Sequence, residues 1–477
     1  MALLAGIVAL AANLLLLVSF KVALAAVAGL IVGTIVFFQP MLGYYLTVAT
    51  LPLEAAGKVG NILPFMQISL TKLAGALTAA VWICHVLLKR NKVRWSPQVS
   101  MLFGFLLLCG VSLIGAEQWE NGYQAWIRLF GTFLFYFLTV NMLNSVAAIR
   151  RALAVLAVSS VLTFGFAIAQ RYISSLSFGM RWNMEAEDQQ SFGVERQTLD
   201  PGSAAYVERS SGTSQHSIIM AINTAIIAPL LVFFFYSKKG VWIRALILAG
   251  LGVTMGAALV SFSRTGFLTW SLVLLVLILQ RVIKITPILI CGVVAVGLLA
   301  LPFMPKAFWE RVFNPTSYTL KKSESLRIRM DLWDAGWRLT KDHFLTGMGV
   351  GNTRMLGRYW DDPNNGHYMT VHNAYLQVAM ETGIPAAILL IFFFIQTLRL
   401  LQRTSKMAKP VGYEQWLMTR VFQASMVALL FSGTALDFMN QSFKNAWLVM
   451  GCAVVLYREM QKEASSENTV TTTKAIS

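Results

Sequence analysis

The chain has 477 residues, is 56% hydrophobic and only 13% charged, and has a mean hydropathy of +0.62. A soluble domain of this size carries nearly twice that charge, and many apolar stretches here approach or exceed the roughly 18 residues that cross a bilayer. The net charge of +17 gathers in short clusters beside apolar runs (89–94, 150–151, 238–239 and 399–420), which suits membrane topology and anionic headgroups and argues against nucleic acid.

The fold class expected is therefore all-α: a polytopic bundle of about 12 to 14 transmembrane helices. The first stretch, MALLAGIVALAANLLLLVSF, has no basic residue before its apolar run and reads as a retained span, not a removed leader. Two or three spans fit residues 1–69, with Gln39-Pro40 breaking two of them. Clear spans follow near 70–88, 98–115, 127–143, 152–170, 215–236, 242–260, 266–282, 285–303, 374–397, 421–438 and 443–457.

With 89–94 in the cytoplasm, the loops near 144–151, 237–241, 281–284 and 398–420 also fall there, and all are basic. The positive-inside rule selects this orientation, with both chain ends inside. The chain then divides into 1–170 (N-terminal helices), 171–214 (a segment on the outer face), 215–303 (central helices), 304–373 (a large outer loop), 374–458 (C-terminal helices) and 459–477 (a polar tail expected to be disordered). Cys84, Cys109, Cys291 and Cys452 all lie in apolar runs, as small buried hydrophobes rather than as a disulfide or metal set. No internal repeat is visible, which weakens an inverted-repeat transporter.

Within the large loop, SESLRIRMDLWDAGWRLTKD carries Leu326, Met330, Trp333 and Trp337 at helical spacing. It reads as an amphipathic helix lying on the membrane or against the bundle, followed by a turn-rich connector at 347–352. No cytoplasmic loop is long enough to bury a catalytic core, so chemistry, if present, belongs on the outer face with a substrate delivered in the lipid.

Three residues on that face converge. Arg264 sits in the tight SFSRTGF turn between two spans, where a charge facing protein points to function more than to snorkelling. Arg209, in ERSSGTSQH, precedes a span whose start offers hydroxyls and N–H groups suited to a phosphate; a solvated arginine neutralised by Glu208 is the equal alternative. His372 opens the run HNAYLQVAMETGIP, with Asn373, Tyr375, Gln377 and Glu381 as polar neighbours. His216 is a candidate supporter of the Arg209 site. His367 reads as loop, and His85 and His343 carry no signal. Asp361-Asp362 and Glu185, Glu187 and Asp188 read as solvated loop charge, so no metal is expected.

RSSGT at 209–213, SRTG at 263–266 and HNAYLQ…ETGIP at 372–385 resemble the O-antigen ligase and polymerase superfamily over roughly 120–457. The order of two arginine motifs, a long loop and a histidine at the next span carries the likeness. Where that superfamily often has a His-Pro-Asn-like stretch, this chain has His216-Ser217-Ile218. The resemblance implies a GT-C-type inner-membrane glycosyltransferase with a periplasmic site, moving a glycan from undecaprenyl diphosphate to an acceptor without metal or other cofactor. It further implies that Arg209 and Arg264 hold the diphosphate and that His372 is the proposed base, taking the acceptor hydroxyl's proton or orienting that hydroxyl. This reading leaves three acceptors open: lipid A–core, another lipid-linked glycan or a protein hydroxyl. A lipid or glycan transporter is the rival from another class, though its charges should lie near the bilayer midplane.

Overall fold

The computed structural model describes residues 20–53, 58–63, 66–88, 90, 92–173, 194–197, 207–214, 216–284, 286, 315–360, 371–436 and 443–476. It is an α-helical bundle. Two short antiparallel hairpins accompany it: β1 (Lys58–Leu63) with β2 (Met66–Ser69), and β3 (Val194–Gln197) with β4 (Val207–Ser210). Helices α1 (Phe20–Phe38) and α2 (Pro40–Thr50) part at Gln39, because Pro40 can start a helix but cannot continue one.

Then come α3 (Leu70–Leu87), α4 (Pro97–Val111), α5 (Trp119–Met142), α6 (Val146–Tyr172), α7 (Ser217–Ser237), α8 (Val241–Val260) and α9 (Arg264–Leu279). After the large loop helix α10 (Pro315–Asp342) stand α11 (Ala374–Thr382), α12 (Ile384–Val411), α13 (Tyr413–Ser432) and α14 (Lys444–Ile476). Seven of these are long and apolar enough to cross a membrane: α3, α4 with its following turn, α5, α6, α7, α8 and α12. The expected spans within 1–19 and at 285–303 lie outside the described residues.

Burial orders the bundle. Helix α7 is apolar all round and 78% buried over its membrane-length window, so it is the axis on which α8, α9 and α13 pack. Helix α14 docks between α5 and α12, where Tyr136, Phe393 and Trp447 meet edge-on or stacked at 5.8–6.3 Å. A second, smaller core of Leu332, Ala335, Leu339, Met348, Leu356, Val371 and Met380 glues α10 to α11.

The ends of the bundle differ in chemistry. At one end lie the basic connections: the Arg94 N–H donates to Asn141 at 2.6 Å, Arg150 pairs with Glu414 at 3.2 Å, and the Arg458 guanidinium donates to the Val140 and Leu143 carbonyls. The other end gathers the start of α5, the N-termini of α7, α9, α11 and α14, and the 347–353 connector. There the Gln118 N–H donates to Asn352 and the Val350 N–H to Ser112.

Two expectations change. The run read as one span, 374–397, is divided at Gly383, whose φ of +84° belongs to glycine; α11 stops there and α12 restarts with Pro385 in its first turn. The tail expected to be disordered instead continues α14 in helix to Ile476, since extending a formed helix costs far less than nucleating one.

Candidate active site

His372 stands at the joint between the large loop and α11, and its own backbone is unusual. Its φ is +49°, one of three non-glycine residues in the left-handed region among the described residues. A second is Phe262 (φ +48°), two residues before Arg264, so two segments that the sequence singled out both carry backbone strain. Such strain persists where surrounding bonds over-determine the chain, and it clusters at functional sites.

Those bonds are visible at His372. The Trp333 indole N–H of α10 donates to the Val371 carbonyl at 3.0 Å, and the Ala374 N–H donates to the Gly433 carbonyl at the end of α13 at 2.7 Å. Asn373 caps α11, its Oδ1 accepting from the N–H groups of Tyr375 (3.1 Å) and Leu376 (3.2 Å). The Tyr375 hydroxyl donates to the Leu430 carbonyl at 2.7 Å. Asn373 and Tyr375 thus hold the segment that presents the imidazole.

Glu381 serves elsewhere. It is fully buried at the far end of α11, where its carboxylate accepts from Thr353 Oγ1 (2.6 Å), the Gly351 N–H (2.8 Å) and Gln377 Nε2 (3.0 Å). Burial raises its pKa, and these bonds together with the nearby Arg128 charge pull partly the other way. It latches the 347–353 connector to α11.

The electrostatics of His372 identify its neighbours. Burial, then the Arg329 charge, then His216 push its pKa down to about 4, so the imidazole is neutral at physiological pH. Arg329 was not singled out by sequence reading. It lies on α10 one turn before Trp333, on the side of the helix where Trp333 and Gly336 lie against Val371 and Leu376. Among the described residues no carboxylate pairs with it. The signal was present in the sequence: an arginine four residues before a tryptophan of the apolar stripe borders that stripe instead of opposing it.

His216 is the N-cap of α7, its Nδ1 accepting from the Ile218 N–H at 3.2 Å. Electrostatically it belongs with His372, whereas sequence reading set it beside Arg209. Arg264 opens α9, capped by Ser263, whose Oγ accepts from the Gly266 N–H at 3.0 Å. Gly266 lies directly on Ala221 in the second turn of α7 and leaves no room for a Cβ, so the Arg264 end of α9 is pinned beside the His216 end of α7.

Arg209 lies in β4 opposite Glu195, and its side chain is outside the described set. The hydroxyls beside it are engaged: Ser210 donates to the Ala167 carbonyl and Thr213 to the Pro52 carbonyl, both at 2.6 Å. His367, Asp361, Asp362, Glu185, Glu187 and Asp188 lie outside the described residues.

A family model described as O-Antigen ligase matches residues 249–391, a little under a third of the chain. This stretch is similar to the domain that the O-antigen ligase and polymerase superfamily shares. The matched stretch runs from mid-α8 into α12 and contains Arg264, Arg329 and His372, while Arg209 and His216 precede it. Its family is one of glycosyltransferase-type enzymes that act on lipid-linked glycans and acceptors. None of the curated proteins compared matches the chain.

Proposed function

We propose that the protein transfers a glycan from a polyprenyl diphosphate, undecaprenyl diphosphate in a bacterial inner membrane, to an acceptor hydroxyl at the periplasmic face, with lipid A–core as the acceptor. One observation carries the reading: a neutral, largely buried His372 in electrostatic reach of Arg329 and His216, with three separate segments meeting at the end opposite the basic loops. The positive-inside rule makes that end periplasmic. The helix N-termini of α7, α9 and α11 add partial positive charge there, which suits an anionic substrate.

In the proposed step the acceptor oxygen attacks the anomeric carbon, and the bond from that carbon to the diphosphate oxygen breaks. Its electron pair leaves on the diphosphate, and the sugar inverts. Arg264, Arg329 and Arg209 bind the diphosphate and stabilise the charge that grows on it. His372 takes the acceptor's proton. With a pKa near 4 the free imidazole is a weak base. A bound diphosphate offsets the Arg329 charge, so His372 gains basicity as the donor arrives.

Transfer of a lipid-linked glycan by folded, membrane-inserted His372→Ala, Arg264→Ala, Arg329→Ala and Arg209→Ala proteins tests the scheme. Losing a positioned base is expected to cost about 10²–10⁴-fold in turnover. Near-normal turnover in all four would sink it. Proteoliposomes given donor and, separately, lipid A–core, a second lipid-linked glycan or a protein acceptor distinguish ligase from polymerase and protein ligase. Activity is expected to survive EDTA, and a strict divalent-metal requirement would transfer the charge-stabilising role away from the arginines.

A further inference from the structure

Helix α10 divides lengthwise into strips of different chemistry. Leu332, Ala335 and Leu339 are buried in the small core shared with α11, and Trp333 and Gly336 lie against the segment that carries His372. The charged strip bears Asp334, which pairs with Arg338 at 3.1 Å, and Asp342, which accepts from the Tyr359 hydroxyl at 2.7 Å. Between the site side and the charged side runs a fourth strip of Met330 (59% exposed), Trp333 (37%) and Trp337 (48%). Phe344 (54%) and Leu345 (60%) extend it past the helix end.

Large apolar side chains in such a row need a cover. The chain shows where that cover begins. The Phe344 carbonyl accepts from the N–H of Ile384 at 2.8 Å, and Ile384 is the first residue of a membrane span. Phe344 also lines a single groove with Ile384, Pro385, Ile388 and Phe392, side chains on the outward face of that span. The strip is therefore continuous with surface that faces lipid. Lys341 places its ammonium 5.7 Å from the Trp337 ring, as a cation does when it reaches from an apolar strip toward headgroups.

We propose that Met330, Trp333, Trp337 and Phe344 seat α10 in the boundary between headgroups and acyl chains of the leaflet on the site side. Tryptophan favours that boundary because its ring is apolar and its N–H polar. Here the Trp333 N–H is spent on the Val371 carbonyl, one residue before His372, so the depth of α10 in the leaflet sets the height of the imidazole above the membrane. A sugar-stacking platform is the competing occupant. It would end with the tryptophans, with no reason to run on through Phe344 onto α12.

The test uses the full chain in nanodiscs, with Cys84, Cys109, Cys291 and Cys452 replaced by alanine and one nitroxide attached at a time. Labels are placed at 337 and 344 on the strip, and at 334 and 342 on the charged side as folded-state controls. At 337 and 344 the spectra should show high collision with oxygen and low collision with a water-soluble nickel chelate, with the reverse at 334 and 342. Nickel access at 337 and 344 equal to that at 334 would overturn the proposal. So would shielding that appears only when a polyprenyl-diphosphate glycan is added, which would assign the strip to the glycan. Neither readout depends on glycosyl transfer.

Discussion

A histidine that accepts a proton has to be uncharged first, and burial beside Arg329 and His216 keeps His372 so, with its pKa pushed down to about 4. The pH behaviour follows with a definite sign. Protonation below that value removes the acceptor, so kcat/KM, which reports the free enzyme, should fall only as pH drops through about 4. The acid limb of kcat should lie at higher pH, because bound diphosphate offsets the Arg329 charge. Arg329→Gln removes a cation and should move the free-enzyme limb upward, toward the ordinary histidine range of about 6.5. A limb that stays in place in Arg329→Gln would show that this arginine does not act on the imidazole. The sequence assigns His372 and Arg264 to one membrane face, because spacing and alternation of the spans assign a residue to a face. Arg329 is legible only as a residue bordering the apolar stripe of α10; its approach to the histidine comes from the docking of α10 onto α11.

At the scale of elements, the Glu381 latch decides whether α10, the connector and α11 behave as one block. Glu381→Ala leaves the Thr353 hydroxyl, the Gly351 N–H and the Gln377 amide without their acceptor, at a cost of about 1–3 kcal/mol for each buried group left unpaired. Glu381→Gln keeps one acceptor oxygen and should fall between alanine and wild type in melting temperature. Burial raises the folded-state pKa of Glu381. Its linked contribution is therefore fully present below the ordinary glutamate value of about 4.3 and is lost as pH rises through the folded pKa. Melting curves in detergent across that range should show this slope in wild type and its absence in both variants. The sequence marked Glu381 as a neighbour of the site, since an acid near a histidine invites that reading. Two of its three partners, Gly351 and Thr353, come from the connector, which sequence spacing does not bring to α11. The division at Gly383 was readable from Gly-Ile-Pro, which ends one helix and starts another, but the apolar run around it masked the signal.

For the whole molecule, hydropathy and charge placement were enough to predict an all-α membrane bundle with the basic loops at one end, because the bilayer leaves a chain few alternatives. Orientation can be checked directly. Single cysteines at 239 and 338, in the cysteine-replaced chain, should differ in intact spheroplasts, with a membrane-impermeant maleimide labelling 338 and sparing 239. The opposite pattern would put the site in the cytoplasm. The latch also bears on how the protein is made. Glu381 reaches back to Gly351 and Thr353, which precede it in synthesis, whereas Ala374 is bound to Gly433, at the far end of two helices still to come. The loop half of the site can therefore close while the ribosome is still extending the chain, but His372 gains its final restraint only after α13 has entered the membrane. A nascent chain arrested before α13 would lack the Gly433 carbonyl that holds Ala374, and the segment beside His372 would be without that restraint.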